Sequence, residues 1–375
     1  MLYEMHMLKN YPPVNLNRDD TGAPKTCMFG GTMRGRISSQ CLKRTWRTNE
    51  LFRSEVGEEN LGIRTRKFPV LVGEKLKEMG VPQDYIDAVT PRLTGFGTKD
   101  GKENKDGPAT AQVIFFAPED IDAAASAVKV ALDACKKVKD VEKLKAKDLQ
   151  NAVEGANVRP ITLDIALFGR MVTSDAFRKV EAAMQVAHAI STIKVSVESD
   201  YFTAMDDLLD GEKMEENGAA MIGDTDYNSS CYYLYASMDT DALKDNLKDV
   251  PEADDIIRKA IPALLRTMAF SNPSGKQNSF AGHILPSVVM VECKKAKIPT
   301  SMVNAFVKPA GTADPLEDSI RKLAEEADMT ARNYGLPVEE RLWFCVDKYK
   351  IAPACATKVF DNLGDLVDSV AGTLK

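Results

Sequence analysis

The sequence predicts an α+β protein. Strand-like runs of apolar and β-branched residues recur toward both ends of the chain. Amphipathic helical patterns with cap signals lie between them. Two long polar inserts interrupt the alternation. The chain has 375 residues, enough to bury a large core and to hold more than one domain. Its composition, 44% hydrophobic and 28% charged, is ordinary for a globular protein. No run approaches ~18 consecutive apolar residues, so no membrane span is expected.

Residues 2–9 alternate weakly and stop at Tyr11-Pro12-Pro13. With no basic n-region and apolar h-region, this start reads as an opening strand rather than a signal peptide. Residues 39–53 place Leu42, Trp46 and Phe52 on one side of a helix and Lys43, Arg44 and Arg47 on the other, with Ser38 or Ser39 as its cap. Cations near the start of such a helix oppose its macrodipole and call for another explanation. Helical patterns then dominate, broken by a glycine-rich polar loop at 94–110. AQVIFF (111–116) reads as a strand, and Pro118 with Glu119 and Asp120 opens a helix. A lysine-rich helix is expected over 140–153, and strand character over 160–172. Residues 180–198 fit strand or helix. An acidic, glycine-punctuated stretch precedes the strand CYYLYASM (231–238); its apolar residues suggest a protruding element that packs on something else. Pro251 opens a helix to about Phe270, HILPSVVMVE (283–292) is a strand, and Asp314-Pro315 starts a helix that stops at Gly335. A short helix closes the chain near 361–371. This order, interrupted by insertions, suggests a ferredoxin-like (RRM-type) sheet core.

The richest chemistry lies in LNRDDTGAPKTCMFGGTMRGRISSQCLKRTWR, residues 16–47. Between Lys25 and Lys67 ten Lys and Arg face four Glu, a local charge of +6 in a chain whose net charge is −6. Such asymmetry is the footprint of a phosphate ligand, although a solvated basic face gives the same count. Gly30, Gly31 and Gly35, flanked by Arg34 and Arg36, would let a backbone approach a phosphodiester. Ser274-Gly275-Lys276-Gln277 is a second short candidate, with an ordinary turn as its bland reading. Asp19-Asp20 are explained by a turn with side-chain-to-backbone bonds.

The motifs of other chemistries are missing: no P-loop, no GxGxxG after a strand, no HExxH and no GxSxG elbow. Seven scattered cysteines without a CxxC pair fit reduced thiols in a cytoplasm and give no zinc spacing. No cofactor is expected. His6, His188 and His283 read as packed or surface residues. Asp206, Asp207 and Asp210 could hold a divalent metal, but a solvated acidic loop explains them.

These blocks carry a resemblance. LNRDDTGAPKT, FGG, RGRISSQ and LKR closely resemble the opening of the CasC-type backbone subunit of the type I-E CRISPR Cascade surveillance complex. DIALFGRM (164–171), VEAAMQVAHAIST (180–192), DYFTAMDDL (200–208) and SMVNAF (301–306) look like further blocks of that family, in order. The resemblance implies an RRM-like palm (1–54, 159–194 and 229–375), a helical fingers insertion (55–158) and a protruding thumb loop (195–228). It implies a non-catalytic, cytoplasmic protein whose copies polymerise along a CRISPR RNA into a helical filament. The implied partners are that RNA, target DNA through guide pairing, copies of itself, and the large, small, guide-end-capping and RNA-processing subunits. No membrane is implied. Carried over position by position, Arg18, Lys25, Ser38, Gln40, Lys43 and Arg44 hold guide phosphates. Met171 and Phe202 bracket a flipped nucleotide. Arg36 matches well, whereas the Met33-Arg34-Gly35-Arg36 run leaves the role of Arg34 open. Arg47 and Lys276 complete the candidate RNA contacts. Two alternatives share the core: an RNA-cleaving backbone subunit using Asp206 or Asp207, and a CRISPR RNA-processing endonuclease, for which His6 and Tyr11 are a weak match.

Overall fold

The computed structural model describes residues 1–153, 155, 157–204, 221–311 and 313–374. They form two compact units: Met1–Phe52 with Val186–Met238 and Ile261–Lys375, and Arg53–Gln185 with Asp239–Ala260.

The first unit is built on a mixed sheet. Its strands run in the order Lys358–Phe360, Glu340–Cys345, Val288–Lys294, Leu2–Val14 (β1), Met221–Asp239, Ala189–Ser191, Thr32–Ile37 (β3) and Thr26–Phe29 (β2). β1 is central and buried on both faces over its first eight residues, which is why its apolar alternation was weak in the sequence. It pairs antiparallel with Val288–Lys294, His6 opposite Met290. Helix Pro315–Tyr334 begins as its sequence dictates: Asp314 Oδ1 accepts from Glu317 N at 3.0 Å, Pro315 follows, and Gly335 ends it with a left-handed φ of 57°. Its Ile320, Leu323 and Ala327 pack with Leu8, Met290, Tyr233 and Trp343 in one core cluster.

That face of the sheet also carries a buried polar network. Glu4 lies directly opposite Glu292, and cations offset this like-charge pair. Lys294 Nζ bridges both carboxylates and Arg341 Nε donates to Glu292 at 2.6 Å. Burial pulls the Glu292 carboxyl up, but His6, Arg341 and Lys294 together outweigh it and hold the group below its usual range. His6 Nδ1 lies 2.8 Å from Tyr233 Oη, and Tyr11 Oη donates to Asn272 Oδ1 at 2.8 Å. Both residues are inside the sheet core, so the His6–Tyr11 endonuclease pair has no access to RNA.

The second unit is mainly helical. Helices Phe68–Glu78, Gln83–Leu93 and Pro118–Asp133 enclose Phe68, Phe96, Phe116 and Phe177, with the Phe68 and Phe116 rings stacked at 4.5 Å. Where a strand was expected over 160–172, Leu163–Phe168 is a helix stopped by Gly169 at φ 80°. Its residues are buried on nearly every side, so apolar continuity could not distinguish it from a buried strand. The lysine-rich helix expected over 140–153 is two short pieces, Val138–Val141 and Ala146–Asn151. Among the described residues no helix is long and apolar enough to cross a membrane, and all seven cysteines are free thiols.

Candidate nucleic-acid interface

The basic segment folds into a loop, a hairpin and a helix, each locked by its own residues. In the loop, Asp19 Oδ1 accepts from Thr21 Oγ1 at 2.8 Å, Thr21 N at 2.9 Å and Ala23 N at 3.1 Å. The Thr21 hydroxyl leads in holding the Asp19 carboxyl below its usual range. Asn17 closes the loop on the helix: its Oδ1 accepts from Ser38 N at 2.8 Å and its carbonyl from Lys25 N at 2.9 Å. Asn15 Nδ2 donates to Gly22 O at 2.9 Å and Asp226 O at 2.8 Å.

Gly30 and Gly31 are the two-residue turn of the β2–β3 hairpin, Phe29 facing Thr32, with left-handed φ of 58° and 74°. Positive φ at both central positions is what a type I′ turn requires. A Cβ on Gly30 would lie 1.9 Å from Val307 O, and one on Gly35 would lie 2.2 Å from Tyr232 Oη. The turn accounts for Gly30 and Gly31, and packing against Tyr232 accounts for Gly35, without a phosphodiester.

Arg34 is a structural residue and not an exposed cation. It is fully buried. Its Nε donates to Thr32 Oγ1 at 2.9 Å, Nη1 to Ser191 O and Thr192 O at 3.0 and 2.9 Å, and Nη2 to Phe306 O and Val307 O at 2.7 and 3.3 Å. A guanidinium has five N–H donors, and here each has an acceptor. Arg34 ties the hairpin to Ser191-Thr192 and to the 3₁₀ turn Met302–Phe306 and has nothing left for a phosphate.

Helix α1 spans Ser39–Arg47, nine residues rather than the fifteen expected. Ser38 is its cap, Oγ accepting from Cys41 N at 3.2 Å. Asn49 Oδ1 accepts from Leu51 N at 3.0 Å and starts the next helix, Glu50–Val56. Arg44 and Arg47 thus stand in the last turn of α1, where cations favour the macrodipole. The expected conflict with the helix dipole does not exist.

What marks the face is the cations left over. Arg18 and Arg44 are exposed, and Lys25 and Lys43 are half-buried. None of these four has a carboxylate partner among the described residues. Burial pushes the Lys43 ammonium below its usual range. Arg47 is already engaged within the protein. Arg36 Nε donates to Thr26 O at 3.4 Å, and its Nη1 lies 3.1 Å from His188 Nδ1. Gln40 is exposed on the first turn of α1.

Arg18 and Arg44 line one cleft of about 570 Å³ with Asn17, Thr48, Asn272 and Ser274. The sequence did not single out Asn272 or Thr48. The turn carrying Lys276 borders this cleft through Gly275, where a Cβ would lie 2.3 Å from Leu16 O. Only a glycine allows that approach, and it brings a segment about 260 residues away against the Arg18 loop.

Met171 and Phe202 belong to different units. Next to Met171, Arg170 is buried, pairs through Nη1 with Asp120 Oδ2 and donates from Nε to Arg178 O at 2.8 Å. That anchor leaves Met171 97% exposed. Phe202 stands on a ribbon formed by Glu198–Ala204 and the start of Met221–Asp239, directly opposite Gly223. A Cβ on Gly223 would lie 2.6 Å from Phe202 Cζ, so the ring lies over the glycine. Asp206, Asp207 and Asp210 fall outside the described residues.

A mixed sheet with a helical second unit, and a cationic face of arginines and lysines without acidic partners, define an α+β protein suited to a phosphate-rich ligand. The chain belongs to the CT1975-like protein family, whose model matches residues 3–369. Among solved structures it is similar to a chain of a "CRISPR RNA-guided surveillance complex, pre-nicking", with 26% identity, complete coverage of both chains and a TM-score of 0.81. It shares its fold with a chain of a second "CRISPR RNA-guided surveillance complex", at 23% identity, 99% coverage of each and a TM-score of 0.70. No curated protein matches it.

Proposed function

We propose that this chain is a non-catalytic backbone subunit of a CRISPR RNA-guided surveillance complex. Copies of it line up along a CRISPR RNA, hold its phosphates and present its bases to target DNA. The observation that carries the reading is the set Arg18, Lys25, Lys43 and Arg44, free of acidic partners on a rigidly braced loop and helix. The full-length likeness to a surveillance-complex chain supports it. A guide must vary in sequence, so a subunit that serves every guide grips the backbone rather than the base edges. In this reading the sheet is an RRM-like palm, the helical unit carries the fingers, and the ribbon at 198–204 and 221–227 is the base of a thumb. Met171 and Phe202 offer a thioether and an aromatic ring to any base, since every base has a π-face.

The test is purification from cells that carry a CRISPR array, followed by extraction and sequencing of bound RNA. A uniform CRISPR-derived RNA is expected, and random cellular RNA or none refutes the reading. RNA and DNA incubated with the protein and magnesium should stay intact. Cleavage that disappears in Asp206→Ala or Asp207→Ala would make the chain an RNA-cleaving subunit instead.

A further inference from the structure

We infer that His188 is a phosphate-contacting residue of the RNA face, and that guide RNA binds there together with a proton. The inference rests on the RNA reading above and adds a residue and a proton to it.

His188 sits just before strand Ala189–Ser191, whose Ala189 pairs with Ile37. It is exposed, and its Nδ1 lies 3.1 Å from Arg36 Nη1. A guanidinium has donors and no acceptor. Arg36 therefore donates, Nδ1 accepts, and the neutral imidazole carries its one proton on Nε2. That N–H has no partner among the described residues and is available to a phosphate oxygen. The same cannot be said of His6, which is inside the core against Tyr233.

Among the described residues, the charged groups that act on His188 are Arg36 from β3 and Lys25 from the loop, with no carboxylate among them. Partial burial, then Arg36, then Lys25, hold the imidazole below its ordinary range. Lys25 and Arg36 are joined through their backbones, Arg36 N donating to Lys25 O at 2.8 Å. A phosphodiester seated against these two cations reverses the local field. It draws Arg36 toward itself, frees Nδ1 and supplies the negative charge an imidazolium needs. The ring then gains a proton from solvent, and two N–H donors replace one.

The experiment is titration of a labelled single-stranded RNA of mixed sequence with the full chain, at fixed salt, between about pH 8 and pH 5.5 around the ordinary imidazole range. Wild type should bind more tightly as pH falls, by up to about tenfold for each unit by which bound phosphate raises the imidazole pKa. His188→Gln keeps an N–H donor but cannot titrate, so its pH profile should be flattened by that factor. His188→Leu should be flat and weaker still. Calorimetry in buffers of different ionisation enthalpy should show proton uptake by wild type and less by His188→Gln. If RNA binds with steep salt dependence but wild type and His188→Gln have parallel pH profiles, the inference is wrong and the RNA reading stands. If wild type binds no RNA at any pH, both fail.

Discussion

Arg34 separates a residue that builds the site from one that would touch the ligand. Arg34→Met removes the guanidinium and keeps an unbranched stem. Five acceptors lose their donor: Thr32 Oγ1 and the carbonyls of Ser191, Thr192, Phe306 and Val307. Thr192 O still accepts from Ala310 N at 2.9 Å, and the bond to Val307 O, at 3.3 Å, is the longest and weakest of the five. Counting the two remaining carbonyls as fully orphaned, at ~1–3 kcal/mol each, gives a loss of about 4 kcal/mol. The assay is built into the chain. Its two tryptophans, Trp46 and Trp343, are both buried in the sheet-bearing unit. Their fluorescence during urea unfolding follows that unit, and the shift in midpoint at constant slope gives the loss. The salt dependence of RNA binding, measured where the variant is still folded, should match wild type. A variant within about 1 kcal/mol of wild type whose salt slope falls by about 0.7, the worth of one single-strand phosphate contact, would refute the argument and return Arg34 to the ligand.

Lys43→Ala with Arg44→Ala should leave the Trp-monitored stability nearly unchanged and lower the salt slope of RNA binding by about 1.4, two phosphate contacts at ~0.7 each; an unchanged slope removes both residues from the groove. Phe202→Ala should weaken RNA binding by about 1–3 kcal/mol per stacked base and erase any regular interval of exposed nucleotides in a nuclease footprint, with Met171→Ala acting in the same direction more weakly; identical footprints would reduce the ribbon to a surface hairpin. His6 supplies a pH test of the core. Burial lowers its imidazole to about 4 from 6.5, so as pH falls through that window the unfolded chain takes up a proton that the folded chain refuses. Stability should be fully present above about pH 6.5 and decline by about 3 kcal/mol toward pH 4. His6→Leu should flatten that decline, and an equally steep acid limb in the variant would place the titrating group elsewhere.

The readable parts of this chain were those fixed by neighbours in sequence. Asp314-Pro315 and Gly335 set both ends of a twenty-residue helix because caps act within a turn. The double glycine between TCMF and TMRGRI is also a hairpin-turn signal, and the arginines that follow it, Arg34 and Arg36, give the same stretch the look of a phosphate site. The helix expected over 39–53 hid a break that Asn49 announces, an Asn followed by Glu50 at the start of a new helix. Arg34 was not readable, because its acceptors lie as far as 273 residues along the chain. The same holds for Glu4 opposite Glu292, which exists only once β1 and Val288–Lys294 are in register. The cation face was legible as charge. Which cations remain for a ligand depended on acceptors the chain supplies from elsewhere.

The strand Met221–Asp239 begins in the exposed ribbon and runs on between β1 and Ala189–Ser191 in the sheet. At about 3.3 Å per residue its nineteen residues make a rod with a contour of about 60 Å. A rod anchored along its inner half behaves as a cantilever. A load on the ribbon tip is resisted by the ladder bonds of the inner half, which act in parallel and in shear. Whatever grips the ribbon therefore pulls on the middle of the sheet rather than on a loose hinge. If copies line up along a guide RNA as proposed, the spacing from one copy to the next should be stiff, which a single-molecule pulling experiment on that assembly would read as resistance to stretching.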